Sequence, residues 1–374
     1  MSRKKDLDDK IVWASDPHTL VKHLVYRHYL ECWLPKILQS FPEATIVDAF
    51  AGPGIYEDGL PGSPVLIAKT FLEHRAFQRF GALNLICLEK RADRTDELRC
   101  QIASLPTSPK LRITVVEPGV FTEQQPRLSA VAHGTDPRRP VLWLLDPFKI
   151  NSVPFSAVLA CVAGPHDEVV LTCFTDEMHR FCESESLPSA LNRHFGGEGW
   201  RSAVPAQGAA VRKLAFARAY GRALEAQGLL YGQFAIEVAR QTARYHLILA
   251  THSEAGLKCW NPVTWKLDTY TGAGAAAETL HQPDLFGESY VGELERMLRD
   301  HAGSEQTMGG LITSTLKAGF VERQLREALD GLASEGLAIR VHPIKARSPW
   351  PADGIVRFYA PEDIAFESVR PPVA

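Results

Sequence analysis

Hydrophobic and polar positions along the chain follow two alternating periods. Val21, Leu24, Val25, His28 and Cys32 recur at helical spacing, Lys22, Arg27 and Glu31 take other faces, and Asp16 with Pro17 supplies a start signal. The pattern predicts an amphipathic helix ending near Pro42. A short β-branched run, "ATIVDAF", follows, and then a glycine-rich turn. Ser63 before Pro64 predicts the next helix, a hydroxyl cap and then proline, running to about Arg79. Three further alternations come next: "LNLICLE" with a helix over Ala92 to Ser104, "LRITVVE" with a helix near Glu123 to Ala132, and "VLWLLDP" with a helix near Phe155 to Val162. "EVVLTCF" makes a fifth strand, and "YGQFAIEVAR" with "ARYHLILATH" reads as an antiparallel pair closing the sheet.

Strands that are apolar without alternation are covered on both faces, and strict strand–helix order implies a parallel connection. The fold class expected is α/β, a doubly wound, mostly parallel, Rossmann-like sheet preceded by an N-terminal helix. Periodicity lapses from Thr271 to about Glu288, which predicts a linker. Beyond it, "GELERMLRDH", "MGGLITSTL" and "VERQLREALDGLASEGL" are helical, and two short strands follow around a loop, the outline of a winged helix. The expected organisation is residues 1–44 as a helical extension, 45–270 as the sheet domain, 271–288 as the linker and 289–374 as the winged-helix-like domain.

The turn "VDAFAGPGIYEDGLPGSP" carries the candidate chemistry. In a doubly wound sheet, ligands bind at the carboxyl ends of the strands, where glycine lets a ligand approach the backbone. Gly52 and Gly54 supply that freedom, but the spacing fits neither G-x-x-x-x-G-K nor G-x-G-x-x-G. Asp48, four residues before the first glycine, suits a cationic ligand better than a pyrophosphate. Glu89 ends the second strand, where a carboxylate accepts from ribose hydroxyls, and Glu117 ends the third, within reach of an adenine amine. The distance from Asp48 to Glu89 exceeds the usual spacing because residues 55 to 62 read as an insertion. S-adenosylmethionine matches these acids; the bland alternative is a tight turn beside acids that merely end strands.

At the fourth strand, "LWLLDPF" delivers Asp146, Pro147 and Phe148 to the same edge. Methylation of a base amine needs an acceptor for the N–H and a flat surface for the ring, roles that fit Asp146 and Phe148, with Pro147 stiffening the turn. The segment is similar to the D-P-P-[YFW] signature of amino-group methyltransferases, without the second proline. A capped strand end is the alternative.

Five ordered blocks resemble the three-Cys-motif partner protein family: His18 to Pro35, the glycine turn, "LDPF", "EVVLTCFTDEMHRF" and Ala243 to Trp260. The resemblance spans roughly residues 16 to 265. It implies a class I methyltransferase fold, S-adenosylmethionine as cofactor held by Asp48, Phe50, Ala51, Gly52, Gly54, Tyr56 and Glu89, and a partner with a three-cysteine motif encoded nearby. A more distant likeness to ribosomal-RNA adenine methyltransferases implies that Lys22, in a helix with His18 and His23, touches the cofactor or the catalytic mouth; a solvated helix face is the other reading. Lys149 stands where the family has glycine, either to meet a phosphate or to crowd the pocket. The activity expected is methyl transfer to a nucleobase amine in DNA or RNA. The alternatives are a non-catalytic, cofactor-sensing partner and a winged-helix regulator.

Composition narrows this picture. A net charge of −3 argues against nucleic-acid binding by bulk electrostatics. Nothing approaches the roughly 20 apolar residues of a membrane span, so a cytoplasmic protein is expected. Cys32, Cys87, Cys100, Cys161, Cys173, Cys182 and Cys259 form no C-x-x-C pair and read as free structural thiols. The 13 histidines show no tight ligand spacing, so no metal site is expected. His179 and Arg180 either line the substrate mouth or belong to a helix capped by Thr175 or Asp176. In the expected third helix of the winged unit, about Val321 to Glu335, Arg323 and Arg326 are balanced by Glu322, Glu327, Asp330 and Glu335, with Arg340, Lys345 and Arg347 nearby.

Overall fold

The computed structural model describes residues 10–184, 188–238, 242–277, 280, 290–343 and 347–361. The chain divides into two compact units, residues 1–267 with 273–282 and residues 268–272 with 283–374.

The first unit is built on five parallel strands, β1 (Glu43–Asp48), β2 (Ala82–Cys87), β3 (Leu111–Val115), β4 (Val141–Leu145) and β5 (Glu168–Cys173). Two antiparallel strands, β6 (Leu230–Val238) and β7 (Thr242–Thr251), extend the sheet, and a short β8 (Gly274–Ala275) pairs with β6. Strand order is β3-β2-β1-β4-β5-β7-β6-β8. The order reverses between β1 and β4, so the switch-point crevice lies at the carboxyl ends of those two strands. This is the doubly wound α/β class expected from the sequence. Strands β4 and β5 are buried throughout, as their unbroken apolar runs require. The edge strand β3 alternates instead.

Helix α1 (Pro17–Leu38) is followed by α2 (Ser63–Leu72), α3 (Ala92–Ala103), α4 (Phe121–His133) and α5 (Phe155–Cys161). Next come α6 (Thr175–Phe181), α7 (Pro188–Phe195), α8 (Ala209–Glu225) and α9 (Glu254–Leu267). One sheet face, with Val47, Ile86, Trp143 and Val169, is covered by Phe121 and Leu128 of α4, Val158 of α5, and Phe216 and Tyr220 of α8. Helix α1 packs against α2, α9, β1 and β6, so the expected N-terminal extension is part of this unit. It is pinned midway: the Tyr29 hydroxyl donates to Glu168 Oε2 at 2.7 Å, and Thr251 Oγ1 donates to Glu168 Oε1 at 2.7 Å.

Several sequence expectations need correction. Helix α1 ends at Leu38 rather than near Pro42, and α2 at Leu72, with Gly62 rather than Ser63 in the cap position. Phe174 holds the cap position of α6, since Thr175 Oγ1 is engaged with His246 Nδ1 at 2.8 Å. Gly274 and Ala275, expected in the linker, pair with Ala235 and Ile236; residues 278, 279 and 281–288 of that linker lie outside the described residues. Helices α7 and α8 were not anticipated. The seven cysteines are not all free: Cys32 on α1 and Cys259 on α9 form a disulfide with Cα atoms 5.5 Å apart. A separation of 227 residues left no local spacing to signal it. Cys87, Cys161 and Cys173 are free and buried, and burial pushes their thiols up. Among the described residues, no helix is long and apolar enough to cross a membrane.

The second unit holds α10 (Tyr290–Arg299), α11 (Met308–Lys317), α12 (Glu322–Ser334) and a three-stranded antiparallel sheet of β9 (Glu305–Thr307), β10 (Ala338–His342) and β11 (Ile355–Phe358), ordered β10-β11-β9. The three helices and the two last strands were expected; β9, which runs directly into α11, was not. Arg326 donates to the Trp350 carbonyl, the Trp350 indole donates to Asp330 at 2.7 Å, and Arg340 donates to the carbonyls of Ser348 and Pro349 at 2.8 Å. These two arginines hold the loop before β11, and Arg323 pairs with Glu327 at 3.4 Å. Lys345 lies outside the described residues.

Candidate functional site

The turn after β1 is built by hydrogen bonds that leave the sheet edge in sequence. The Ala49 amide donates to Leu144 O and the Ala51 amide to Leu88 O, so the chain crosses from the end of β4 to the end of β2. The Gly52 amide then donates to Glu89 Oε2 at 3.1 Å, with φ near +62°, a conformation that strains any residue with a Cβ. Gly54, φ near +78°, is needed for packing: a Cβ there would fall 2.8 Å from Leu98 Cδ1. Residues 55–61 double back as a small hairpin, with Ile55 bridged to Pro61, and the Gly62 amide returns to Gly54 O at 2.8 Å. This excursion occupies the stretch between Asp48 and Glu89 that reads in the sequence as an insertion.

Asp48 is 1% exposed. Its Oδ1 accepts from the Phe50 amide at 3.3 Å, and its Oδ2 is buried without a hydrogen-bond partner. Burial raises its carboxyl to about 6, against the pull of the Ser63 hydroxyl, which is near enough to act on the charge but makes no hydrogen bond of normal geometry to Oδ2, and of the Phe50 amide. Glu89 is buried too, with Oε1 accepting from the Arg91 amide at 2.9 Å. Phe50 packs on Phe121 with ring centroids 5.6 Å apart, and Ala51 is buried in the turn.

Asp146 ends β4 beside this turn. Its Oδ2 is ion-paired with Lys22, and its Oδ1 accepts from Thr172 Oγ1 at 2.6 Å. Lys22 is 8% exposed, which rules out the solvated-face reading. Burial alone would lower its pKa; Asp146 and the neighbouring tyrosines hold it well above the usual value. Around the pair lie His18, His23, Tyr26, Tyr56 and Tyr245. Burial lowers His18 to about 4 and His23 to about 3, so both are neutral at pH 7. His23 Nδ1, Tyr26 Oη and Tyr245 Oη share with Asp48 Oδ2 the lack of a buried partner. These unpaired polar atoms belong to residues that are electrostatic neighbours of the Lys22–Asp146 pair, so the chamber they line is polar.

Not every residue expected here arrives. Glu117 is on the surface, its side chain 77% exposed and paired with Arg99 at 3.0 Å, because β3 is an edge strand with an open side. Pro147 is buried, Phe148 is 51% exposed, and Lys149 is exposed rather than packed into the edge, so it does not crowd the chamber. Arg180 pairs with Asp176 at 2.9 Å, and Asp176 also holds the buried Lys213 at 2.6 Å. Sequence reasoning missed Tyr26, Thr172, Tyr245 and Trp13. Only Tyr26 had a local signal, one helical turn beyond Lys22.

Trp13 lies over the glycine turn. Its ring is 3.5 Å from where a Gly52 Cβ would stand, edge-on to Tyr56 at 5.9 Å and to Phe148 at 6.2 Å, and under the Arg94 guanidinium at 4.6 Å. Hollows of about 590 Å³ between α1 and α2, around Arg27, Lys69 and His74, and of about 470 Å³ beside Cys182 and Trp200 lie elsewhere. Among the described residues there is no cluster of histidine, cysteine or acidic groups able to hold a metal.

No protein-family model matches the chain, and no curated protein matches it. Among solved structures, Trm1 from Pyrococcus horikoshii with S-adenosyl-L-methionine aligns over 97% of this chain and 96% of its own, at 12% identity and a TM-score of 0.34. Cofactor-bound Rv0187 from MTB aligns over 64% of this chain and 91% of its own, at 12% identity and a TM-score of 0.33. Human methyltransferase-like protein 13 with SAH aligns over 74% and 98%, at 10% identity and a TM-score of 0.32. At those scores the strand order, not the alignment, defines the fold.

Proposed function

We propose that the first unit is an S-adenosylmethionine-dependent methyltransferase acting on an amino group of a nucleobase in DNA or RNA. One observation carries the cofactor reading: Asp48 Oδ2 is buried and unpaired at the switch point, beside a glycine whose main chain is bare of side chain. An unsatisfied buried carboxylate oxygen is costly unless a ligand meets it, and an ammonium group is the natural partner. Asp146 has Lys22 as its ion-pair partner, whereas the buried Asp48 carboxylate has no ion pair of its own, which favours a cationic guest at that oxygen.

In this reading Asp48 holds the amino-acid end of the cofactor. Glu89 receives the ribose hydroxyls, since a carboxylate accepts more hydrogen bonds than the two amide bonds it already has. Bound there, S-adenosylmethionine supplies a methyl group on a cationic sulfur. Lys22 and Thr172 fix the orientation of Asp146, whose remaining lone pairs accept the N–H of the incoming amine. Phe148, half-exposed at the rim, offers a stacking surface for a base. The three-Cys-motif partner resemblance adds a second reading, a cofactor-sensing partner protein, favoured by one fact: both oxygens of Asp146 are already engaged.

Calorimetric titration with S-adenosylmethionine and with its demethylated product tests the first step. Binding is expected for the intact protein and a loss of at least tenfold in Asp48→Ala; equal affinity in both removes Asp48 from the seat. Transfer of a labelled methyl group to nucleic acid, abolished by Asp146→Ala, separates the readings. Tight cofactor binding with no methylated DNA or RNA in any preparation favours the sensing partner.

A further inference from the structure

Residues 10–15 have no periodicity and belong to no element, yet they are tied down on all sides. Arg94, itself 5% exposed, donates to the Lys10 carbonyl through Nη2 at 2.8 Å and Nε at 3.2 Å. Lys10 Nζ pairs with Glu57 at 2.7 Å, the Glu57 amide donates to the Trp13 carbonyl at 3.0 Å, and Ser15 donates to Asp58. Between these ties Trp13 reaches inward. It touches the segments that follow β1, β2 and β4 together: Gly52 and Tyr56, Arg94, and Phe148. Those are the strands that frame the switch-point crevice.

We propose that residues 10–15 are a gate over the cofactor seat and that Trp13 is its plug, displaced when S-adenosylmethionine binds. This rests on the cofactor reading above. Close approach to the Gly52 main chain is what the glycine permits, and the Trp13 ring is in that space. Part of the closure is weakly held. The Lys10–Glu57 pair has both side chains about half exposed, a setting in which an ion pair contributes little, while the buried Arg94 is the firmer tie. Local elements with few buried contacts open at a small fraction of the global unfolding free energy. A ligand that binds only the open form has its affinity reduced by the open fraction, so loosening the gate tightens binding.

The experiment measures association rate and affinity of S-adenosylmethionine for the full chain, for Trp13→Ala and for Lys10→Glu, which sets like charges beside each other and leaves the indole in place. Both variants are expected to bind about tenfold tighter, through faster association. Hydrogen exchange at the Glu57 amide, which is bonded to the Trp13 carbonyl, is expected to speed up when the cofactor is added. Weaker binding in Trp13→Ala, or slower exchange at Glu57, makes Trp13 a wall of the bound site and overturns the gate alone. Unchanged kinetics in both variants does the same. Absence of binding by all three proteins overturns the cofactor reading and the gate with it.

Discussion

Burial raises the Asp48 carboxyl from 3.8 to about 6, and that shift has a thermodynamic sign. Below about pH 4 the group is protonated in both folded and unfolded chains. Between about 4 and 6 the unfolded chain releases its proton while the folded chain keeps it, so stability falls as pH rises through this window. Above pH 6 the whole penalty is present, at most about 3 kcal/mol at 1.36 kcal/mol per unit. Asp48→Asn is therefore expected to raise the unfolding free energy at pH 7.5 by up to about 3 kcal/mol, with the gain vanishing near pH 4, while cofactor binding falls. Denaturant melts at the two pH values check it. A destabilised Asp48→Asn at pH 7.5 would mean that the charged form is held by a partner within the protein. Asp48 was legible because strand, acid and glycine adjoin in sequence. Trp13 was not, because nothing in residues 10–15 repeats, and the ring acquires its place only from Gly52, Arg94 and Phe148, three distant segments.

Helix α1 is the element on which the chamber depends. Its i, i+4 spacing sets His18, Lys22 and Tyr26 along one side, and its middle is fixed by Tyr29 on Glu168 and by the Cys32–Cys259 disulfide. That bridge closes 227 residues of chain, and constraint of so long a loop in the unfolded state is worth about 2–5 kcal/mol. Reduction, or Cys32→Ser, is expected to lower the thermal midpoint and stability by that range. A midpoint indifferent to reductant would show the two thiols unbonded. The helix itself was evident from its spacing, as was the ladder of strands and helices through β5. The helices α7 and α8 went unread although Phe216, Tyr220 and Leu224 recur every fourth residue in α8, a local signal of its core face.

At the scale of the molecule, the five parallel strands and the antiparallel pair follow from apolar runs that need cover on both faces, and the switch point between β1 and β4 follows from their order. The acids at three strand ends were read by one rule, and the rule failed at Glu117 because β3 is an edge strand whose open side admits a surface pair with Arg99. The central claim is that the carboxyl edge between β1 and β4 seats a sulfonium nucleoside. A crystal structure of the protein grown with S-adenosylmethionine tests it most directly. The account predicts density for the nucleoside against Gly52 and Glu89, its amino group at Asp48 Oδ2 and the Trp13 ring moved aside. A fully formed edge with no ligand density at saturating cofactor, Trp13 still over Gly52 and an ordered water on Asp48 Oδ2, would contradict it.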